Sequence, residues 1–157
     1  KGSNCGSTFT VKLPLLTYPY QTGVDDMKAE EQKNKALKIL LIDDNRDLAE
    51  TTGTLLTLYG YNVSTAGTGM SGIQTAREFM PHVIICDIGL PDIDGYEVAR
   101  RLSASEEFKN TCLISLSGYT QASDYELSKG AGFSQHISKP VDFENLRRIL
   151  DSINPVD

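Results

Sequence analysis

Acidic, hydroxyl and ammonium side chains stand at the ends of apolar runs in this sequence. Residues 39–42 run into Asp43 and Asp44, residues 83–86 into Asp87, residues 113–116 into Ser117, and residues 133–138 into Lys139 and Pro140. A fifth run, residues 61–65, ends in glycine-bearing loop sequence. If these runs are neighbouring parallel strands, three carboxylates, a hydroxyl and an ammonium meet along one edge of one sheet. Carboxylates without histidine or cysteine make a hard oxygen donor set. Such a set suits Mg2+ or Mn2+, which take few protein ligands and accept a phosphate oxygen as another. Lys139 offers a point charge for a phosphate oxygen and Ser117 a hydroxyl donor for a second. A carboxylate beside a metal and an ammonium is a competent nucleophile toward an activated phosphoryl group. Transfer of that group asks mainly for positioning and charge neutralisation. Any one of these residues alone reads as a turn or a helix cap. Their joint placement at four strand ends is what points to chemistry.

The elements that must position them follow from periodicity. Each apolar run from residue 37 onward is followed by a segment of helical period. The first helix follows Asp44-Asn45, with Leu48, Leu55, Leu56 and Tyr59 as its inward stripe and Gly60 as its end. The second is predicted over residues 69–79, with Met70, Ile73, Ala76 and Phe79 inward and Pro81 as the stop. The third starts near Gly95 and turns Val98, Ala99 and Leu102 inward. The fourth covers residues 121–129 and closes at Gly130. The fifth covers residues 142–152, with Asp142 as its N-cap and Phe143, Leu146, Ile149, Leu150 and Ile153 inward. Alternating β and α elements whose strands are apolar throughout predict a parallel sheet covered on both faces. Right-handed crossovers then make a doubly wound α/β fold, with its site beyond the carboxyl ends of the strands.

The bulk numbers set limits. The chain has 157 residues, a formal net charge of -6 and 39% hydrophobic residues. That allows one full core and a short appendage. The acidic balance argues against nonspecific nucleic-acid binding and against contact with an anionic membrane surface. No apolar stretch approaches the roughly 18–20 residues of a membrane span. The start lacks a methionine and a signal-peptide pattern. The expectation is therefore a cytoplasmic segment of a longer protein, whose parent is free to be membrane-anchored. Cys5, Cys86 and Cys112 show no CxxC spacing and read as reduced thiols without chemistry.

With the motifs in order, Asp43-Asp44, Asp87-Ile-Gly-Leu-Pro-Asp-Ile-Asp-Gly95, Ser117-Gly-Tyr119 and Lys139-Pro140-Val141, the chain resembles the receiver domain of two-component response regulators over about residues 37–154. The resemblance implies a five-stranded flavodoxin-like sheet of order 2-1-3-4-5 with five helices. It implies that Asp87 is the phosphoacceptor, taking its phosphoryl group from the phosphohistidine of a kinase. It implies Mg2+ held by Asp44, Asp87 and the Gly89 carbonyl, with Asp43 helping partly through water. Lys139, followed by a cis bond to Pro140, would bind the phosphoryl group, and Ser117 would swing toward it. The aromatic switch position falls on His136, where the family commonly has Tyr or Phe. A histidine rotamer switch coupled to Ser117 is the expectation. Gly89 and Tyr119, two residues beyond Asp87 and Ser117, are the positions expected to tune phosphoryl lifetime. Tyr119 would shield the acyl phosphate and Gly89 would leave its side open.

The leading residues carry a second resemblance. Gly6-Ser-Thr-Phe-Thr-Val-Lys-Leu-Pro14 is similar to the last strand of a histidine-kinase ATPase domain. Residues 1–23 are then a remnant of that domain, unable to bind ATP alone, and the charged residues 24–36 a linker with some helix. Together these imply the C-terminal receiver of a hybrid sensor kinase. Its partners would be a histidine kinase domain, expected in the same chain, and a histidine phosphotransfer protein. The direction of phosphate flow stays open. An aspartyl-nucleophile phosphatase of the haloacid-dehalogenase type uses similar residues but needs D-x-D directly after a strand. Asp87-Ile-Gly89 lacks the second acid, and Asp92-Ile-Asp94 follows Pro91 with no strand before it. An interaction module without phosphorylation is disfavoured by the intact acid, hydroxyl and lysine set.

Overall fold

The computed structural model describes residues 37–118 and 122–153. The expectations for residues 1–36 and for Tyr119 lie outside them. Within the described residues the apolar runs become β1 (Lys38–Ile42), β2 (Asn62–Ala66), β3 (Val83–Asp87), β4 (Cys112–Ser117) and β5 (Gln135–Ser138). The helical segments become α1 (Arg46–Leu58), α2 (Gly69–Phe79), α3 (Gly95–Ser103), α4 (Ala122–Ala131) and α5 (Phe143–Asp151), with one 3-10 turn at Glu106–Phe108. All strands are parallel, in the order β2-β1-β3-β4-β5. The order reverses between β1 and β3, whose C-terminal ends carry Asp43 and Asp87.

Strand side chains alternate between two cores, as the pleat requires. Leu40, Ile42, Ile84, Cys86 and Leu113 pack against α2, α3 and Ala131 of α4. Ile39, Leu41, Val83, Ile85, Ile114, Leu116 and Ile137 pack against α1 and α5. Because both faces are covered at the centre of the sheet, β1, β3 and β4 are buried almost throughout, while the edge strands β2 and β5 carry exposed polar residues.

Several expectations about the helices are corrected. In α1 the buried residues are Ala49, Thr52, Gly53 and Leu56, while Leu55 is 38% and Tyr59 40% exposed. Small side chains let this helix lie close to the sheet; Leu56 is buried as expected and Leu48 partly so, while Leu55 and Tyr59 are displaced to its flank. Tyr59 stacks there on Phe143 at 5.3 Å between ring centroids, with the Arg147 guanidinium 4.9 Å from its ring centre. In α2, Met70 faces solvent, and the helix is ended by Met80 in a left-handed conformation. Pro81 disfavours a right-handed helical residue before it, so the helix ends at Phe79, as expected. Gly130 lies inside α4; the turn is made at Gly132, whose φ is 105°. β5 is shorter than its apolar run: it starts at Gln135, and Phe133 before it is buried in the core shared by α2 and α3. The third helix buries Val98, Ala99 and Leu102, and Asp142 caps α5 through the Glu144 and Asn145 N–H groups, both as expected.

One close approach fixes α2 against β1. A Cβ on Gly72 would lie 2.4 Å from Ile42 Cδ1 and 2.9 Å from its Cγ1. Ile42 is fully buried and has nowhere to retreat. Gly72→Ala gains about 1 kcal/mol of helix propensity. Overpacking a tight core costs about 1–3 kcal/mol. The clash should win, giving a net loss of about 1 kcal/mol in urea unfolding. A stabilised variant would show that α2 sits farther from β1.

Candidate functional site

The site is assembled where β1, β3, β4 and β5 end. Parallel register places Asp87 beside Leu116 and Ser117 beside Ser138, so the residues that follow each strand share one edge. Asp43 is 1% and Asp87 8% exposed, whereas Asp44 is open to solvent. One carboxylate oxygen of each of the three can be found within 4.8 Å of the others.

Burying a carboxylate is unfavourable unless it is paired and hydrogen-bonded. Here each buried acid divides its oxygens between a cation and a backbone donor. Lys139 Nζ donates to Asp43 Oδ2 at 3.0 Å and to Asp87 Oδ2 at 2.8 Å. The remaining oxygens accept from backbone: Asp43 Oδ1 from the Asn45 N–H at 2.9 Å, and Asp87 Oδ1 from the Gly89 N–H at 3.1 Å. Asn45 in turn caps α1, accepting from the Leu48 N–H. Burial works against the charge on Lys139, but the hydrogen bonds and charges of Asp87 and Asp43 outweigh it and raise its pKa above the ordinary value. The lysine peptide is bonded to β4 as well: the Lys139 N–H donates to the Ser117 carbonyl at 2.8 Å. The Lys139-Pro140 bond is cis, as the resemblance implied.

The structure therefore brings together Asp43, Asp44, Asp87, Ser117 and Lys139. Gly89 lies beside Asp87, where a Cβ would be 3.9 Å from Asp87 Oδ1. His136 lies next to β4, one strand away: its Nδ1 is 2.9 Å from the Ser115 hydroxyl. Ser115 also approaches Ser128 of α4 at 3.5 Å, and both serines are buried. These two serines escaped the sequence reading, since Ser115 interrupts an apolar run and Ser128 sits in a polar helix. Asp92 escaped it too. Its two oxygens accept from the Gly69 and Met70 N–H groups of α2, each at 2.8 Å. Those bonds, chiefly the one from Met70, lower its pKa to about 2. The contact crosses 22 residues and has no local signal. Cys86 has no part in the site. Burial and the neighbouring Asp87 and Asp43 charges raise its thiol pKa far above the reactive range.

All-oxygen donors of this kind fit a small divalent cation. With three carboxylates and one ammonium converging, the site carries an excess of negative charge. Asp44 makes no ion pair with Lys139, so Asp44→Asn should remove repulsion and stabilise the protein by up to about 1 kcal/mol without divalent ions. Lys139→Met should have the opposite sign, a loss of about 2 kcal/mol, because it strands two buried carboxylates. The raised lysine pKa means its contribution is complete below about 10.4, the unperturbed value. It fades as pH climbs through the higher folded value. Urea unfolding in a chelator checks both signs.

Comparison with known proteins agrees with this geometry. The profile of the response regulator receiver domain matches residues 39–151. The sensor histidine kinase AtsR of Burkholderia thailandensis is 30% identical over 155 residues, covering 94% of this chain and 25% of AtsR. This chain thus spans about a quarter of that relative's length. Protein PilG of Pseudomonas aeruginosa is 31% identical over 131 residues, covering 81% of this chain and 97% of PilG. Among solved structures, the receiver domain of sensor histidine kinase PA1611 from Pseudomonas aeruginosa, with magnesium coordinated in its active-site cleft, aligns with a TM-score of 0.69 and 28% identity. That alignment covers 74% of this chain and 96% of the other. The chemotaxis response regulator CheY4 of Vibrio cholerae aligns with a TM-score of 0.70 and 26% identity, covering 74% and 98%.

Proposed function

The chain belongs to the response regulator receiver family of two-component signalling, and from that premise we propose that Asp87 is its phosphoacceptor, fed by a phosphohistidine. The observation that carries the proposal is the convergence of three carboxylates within 4.8 Å, with Lys139 Nζ 2.8 Å from Asp87. An Asp87 carboxylate oxygen attacks phosphorus, forming the acyl phosphate. The P–N bond breaks, and the imidazole of the donor keeps the electron pair and takes a proton. Lys139 is placed to follow the charge from the Asp87 carboxylate to a phosphoryl oxygen. Ser117, at the end of the neighbouring strand, is placed to donate to another.

Asp43, Asp44, Asp87 and the Gly89 carbonyl are the groups that would hold Mg2+. When bound, the ion neutralises the carboxylates and the incoming phosphoryl oxygens. The magnesium-bearing PA1611 receiver supports this assignment. His136 is assigned the switch position with Ser117. The Ser115 hydroxyl tethers its ring in the state described here. Gly89 and Tyr119 are assigned to phosphoryl lifetime.

We further assign residues 1–23 to the end of a histidine-kinase ATPase domain and residues 24–36 to a linker. The AtsR match supports this, because 94% of the chain is more than residues 37–157 can supply, so the likeness reaches into the leading segment. Donor and acceptor are then parts of one hybrid kinase in the cytoplasm. The signal then passes to a histidine phosphotransfer protein or back to the kinase of the same chain. No helix among the described residues is long and apolar enough to cross a membrane.

Incubation with acetyl phosphate and Mg2+ should add the mass of one phosphoryl group to the intact protein. Chelation or Asp87→Asn should abolish the addition, and labelling that survives Asp87→Asn would refute the assignment. Tyr119→Ala should shorten the lifetime of the phosphorylated form, and an equal or longer lifetime would remove Tyr119 from that role. Ser115→Ala should cost about 1 kcal/mol of stability. It should also speed carbethoxylation of His136 in the unphosphorylated protein, and an unchanged rate would mean the tether does not restrain the ring.

A further inference from the structure

The N-terminus of α2 is capped twice, and the two caps come from different places. Thr68, the local N-cap, accepts from the Ser71 N–H at 3.1 Å through its hydroxyl. Its carbonyl accepts from the Gly72 N–H at 2.9 Å. The first two N–H groups of the helix, those of Gly69 and Met70, go to Asp92, one to each oxygen. Asp92 belongs to the loop between β3 and α3, which begins at Asp87. Helix ends leave such groups unsatisfied and favour negative charge. Asp92 is exposed, and nothing about burial required its charge to be there.

The loop it belongs to is otherwise secured near its base. The Ile88 N–H donates to Leu116 O at 3.0 Å, and the Gly95 N–H to Ile88 O at 3.0 Å. A Cβ on Gly95 would lie 2.4 Å from Asp87 O, so the loop returns directly over the strand end it left. Gly89 lies on the outgoing limb. On the far side, α2 lies against Ile93: a Cβ on Gly69 would be 2.5 Å from Ile93 Cγ1 and 3.0 Å from Ile93 O. Asp92 converts this packing contact into two directional bonds.

We propose that Asp92 is a positioning residue for the metal site: by clamping the Asp87–Gly95 loop to the N-terminus of α2, it holds the Gly89 backbone where a Mg2+ ligand is needed. The inference rests on the assignment of Gly89 as a ligand. Without the clamp, the loop must be ordered when the ion binds, and that entropy is subtracted from affinity. The carboxylates are untouched, so the chemistry at saturating metal should be unchanged.

Titration calorimetry of Mg2+ into the full 157-residue chain tests it, with acetyl-phosphate labelling rates as the second readout. Asp92→Ala should weaken Mg2+ binding about tenfold, the low end for losing an outer support of a metal ligand. Its labelling rate at saturating Mg2+ should match the wild type. Asp92→Asn, which keeps one acceptor oxygen, should fall between. Thr68→Ala is the control, since it weakens the same helix end without touching the loop. It should lower stability comparably and leave Mg2+ affinity alone. Wild-type affinity in Asp92→Ala, or an equal loss in Thr68→Ala, overturns the proposal and leaves the phosphoacceptor reading standing. A wild-type chain that binds no Mg2+ overturns that reading, and the clamp with it.

Discussion

Lys139 lies between two carboxylates that would otherwise repel, and the end of the sheet is built around that arrangement. Asp43 and Asp87 are nearly sealed from solvent, on adjacent strands whose ends cannot separate without breaking the β1–β3 ladder. A single ammonium bonded to both compensates part of their charge. Its backbone is fixed in turn to β4 through the Ser117 carbonyl. One lysine thus links the ends of β1, β3 and β4, which is why a site made of short side chains can be precise. The compensation is incomplete, since one ammonium faces two carboxylates and Asp44 adds a third. The shortfall suits a site that must still attract a dication.

The rest of the fold holds those strand ends in register. Two apolar layers, one on each face, give the sheet its rigidity. Buried Leu and Ile side chains each contribute about 1.5–3 kcal/mol. Small residues set how near the helices come: Gly53 and Ala49 on α1, Gly72 on α2. Among the described side chains of α4, Ser128 is buried against Ser115 and Ala131 packs into the apolar core. Hydrogen bonds of that kind are worth about 1 kcal/mol each in net terms.

What the sequence made legible follows the same physics. The central strands are visible as apolar runs ending in a polar residue because burial on both faces leaves few other places for polar groups. Asp43, Asp87, Ser117 and Lys139 could therefore be named in advance. Helix faces were less legible. In α1 hydrophobicity pointed to Leu55 and Tyr59, but close packing selected Ala49, Thr52 and Gly53, because what matters against a sheet is clearance as well as greasiness. Gly130 looked like a helix end, and a neighbouring glycine two residues on, with its positive φ, is the real one. Long-range polar contacts were illegible. Asp92 caps a helix that precedes it by more than twenty residues, and Ser115 meets His136 only because β4 and β5 pair in one register.

That register matters for how a change at Asp87 can travel. The Ser115–His136 and Ser117–Ser138 pairs are successive rungs on the same side of β4 and β5. Lys139, which on the proposed reading would follow the new charge, is bonded through its N–H to the Ser117 carbonyl. On the proposed reading, a shift of Ser117 toward the acyl phosphate acts on the strand that also carries Ser115. Ser115 is the residue that holds the His136 ring and approaches α4. The ring is restrained by a hydrogen bond, which is lost over a few tenths of an ångström and a modest rotation. Ser115 is thus a shared anchor for His136 and α4.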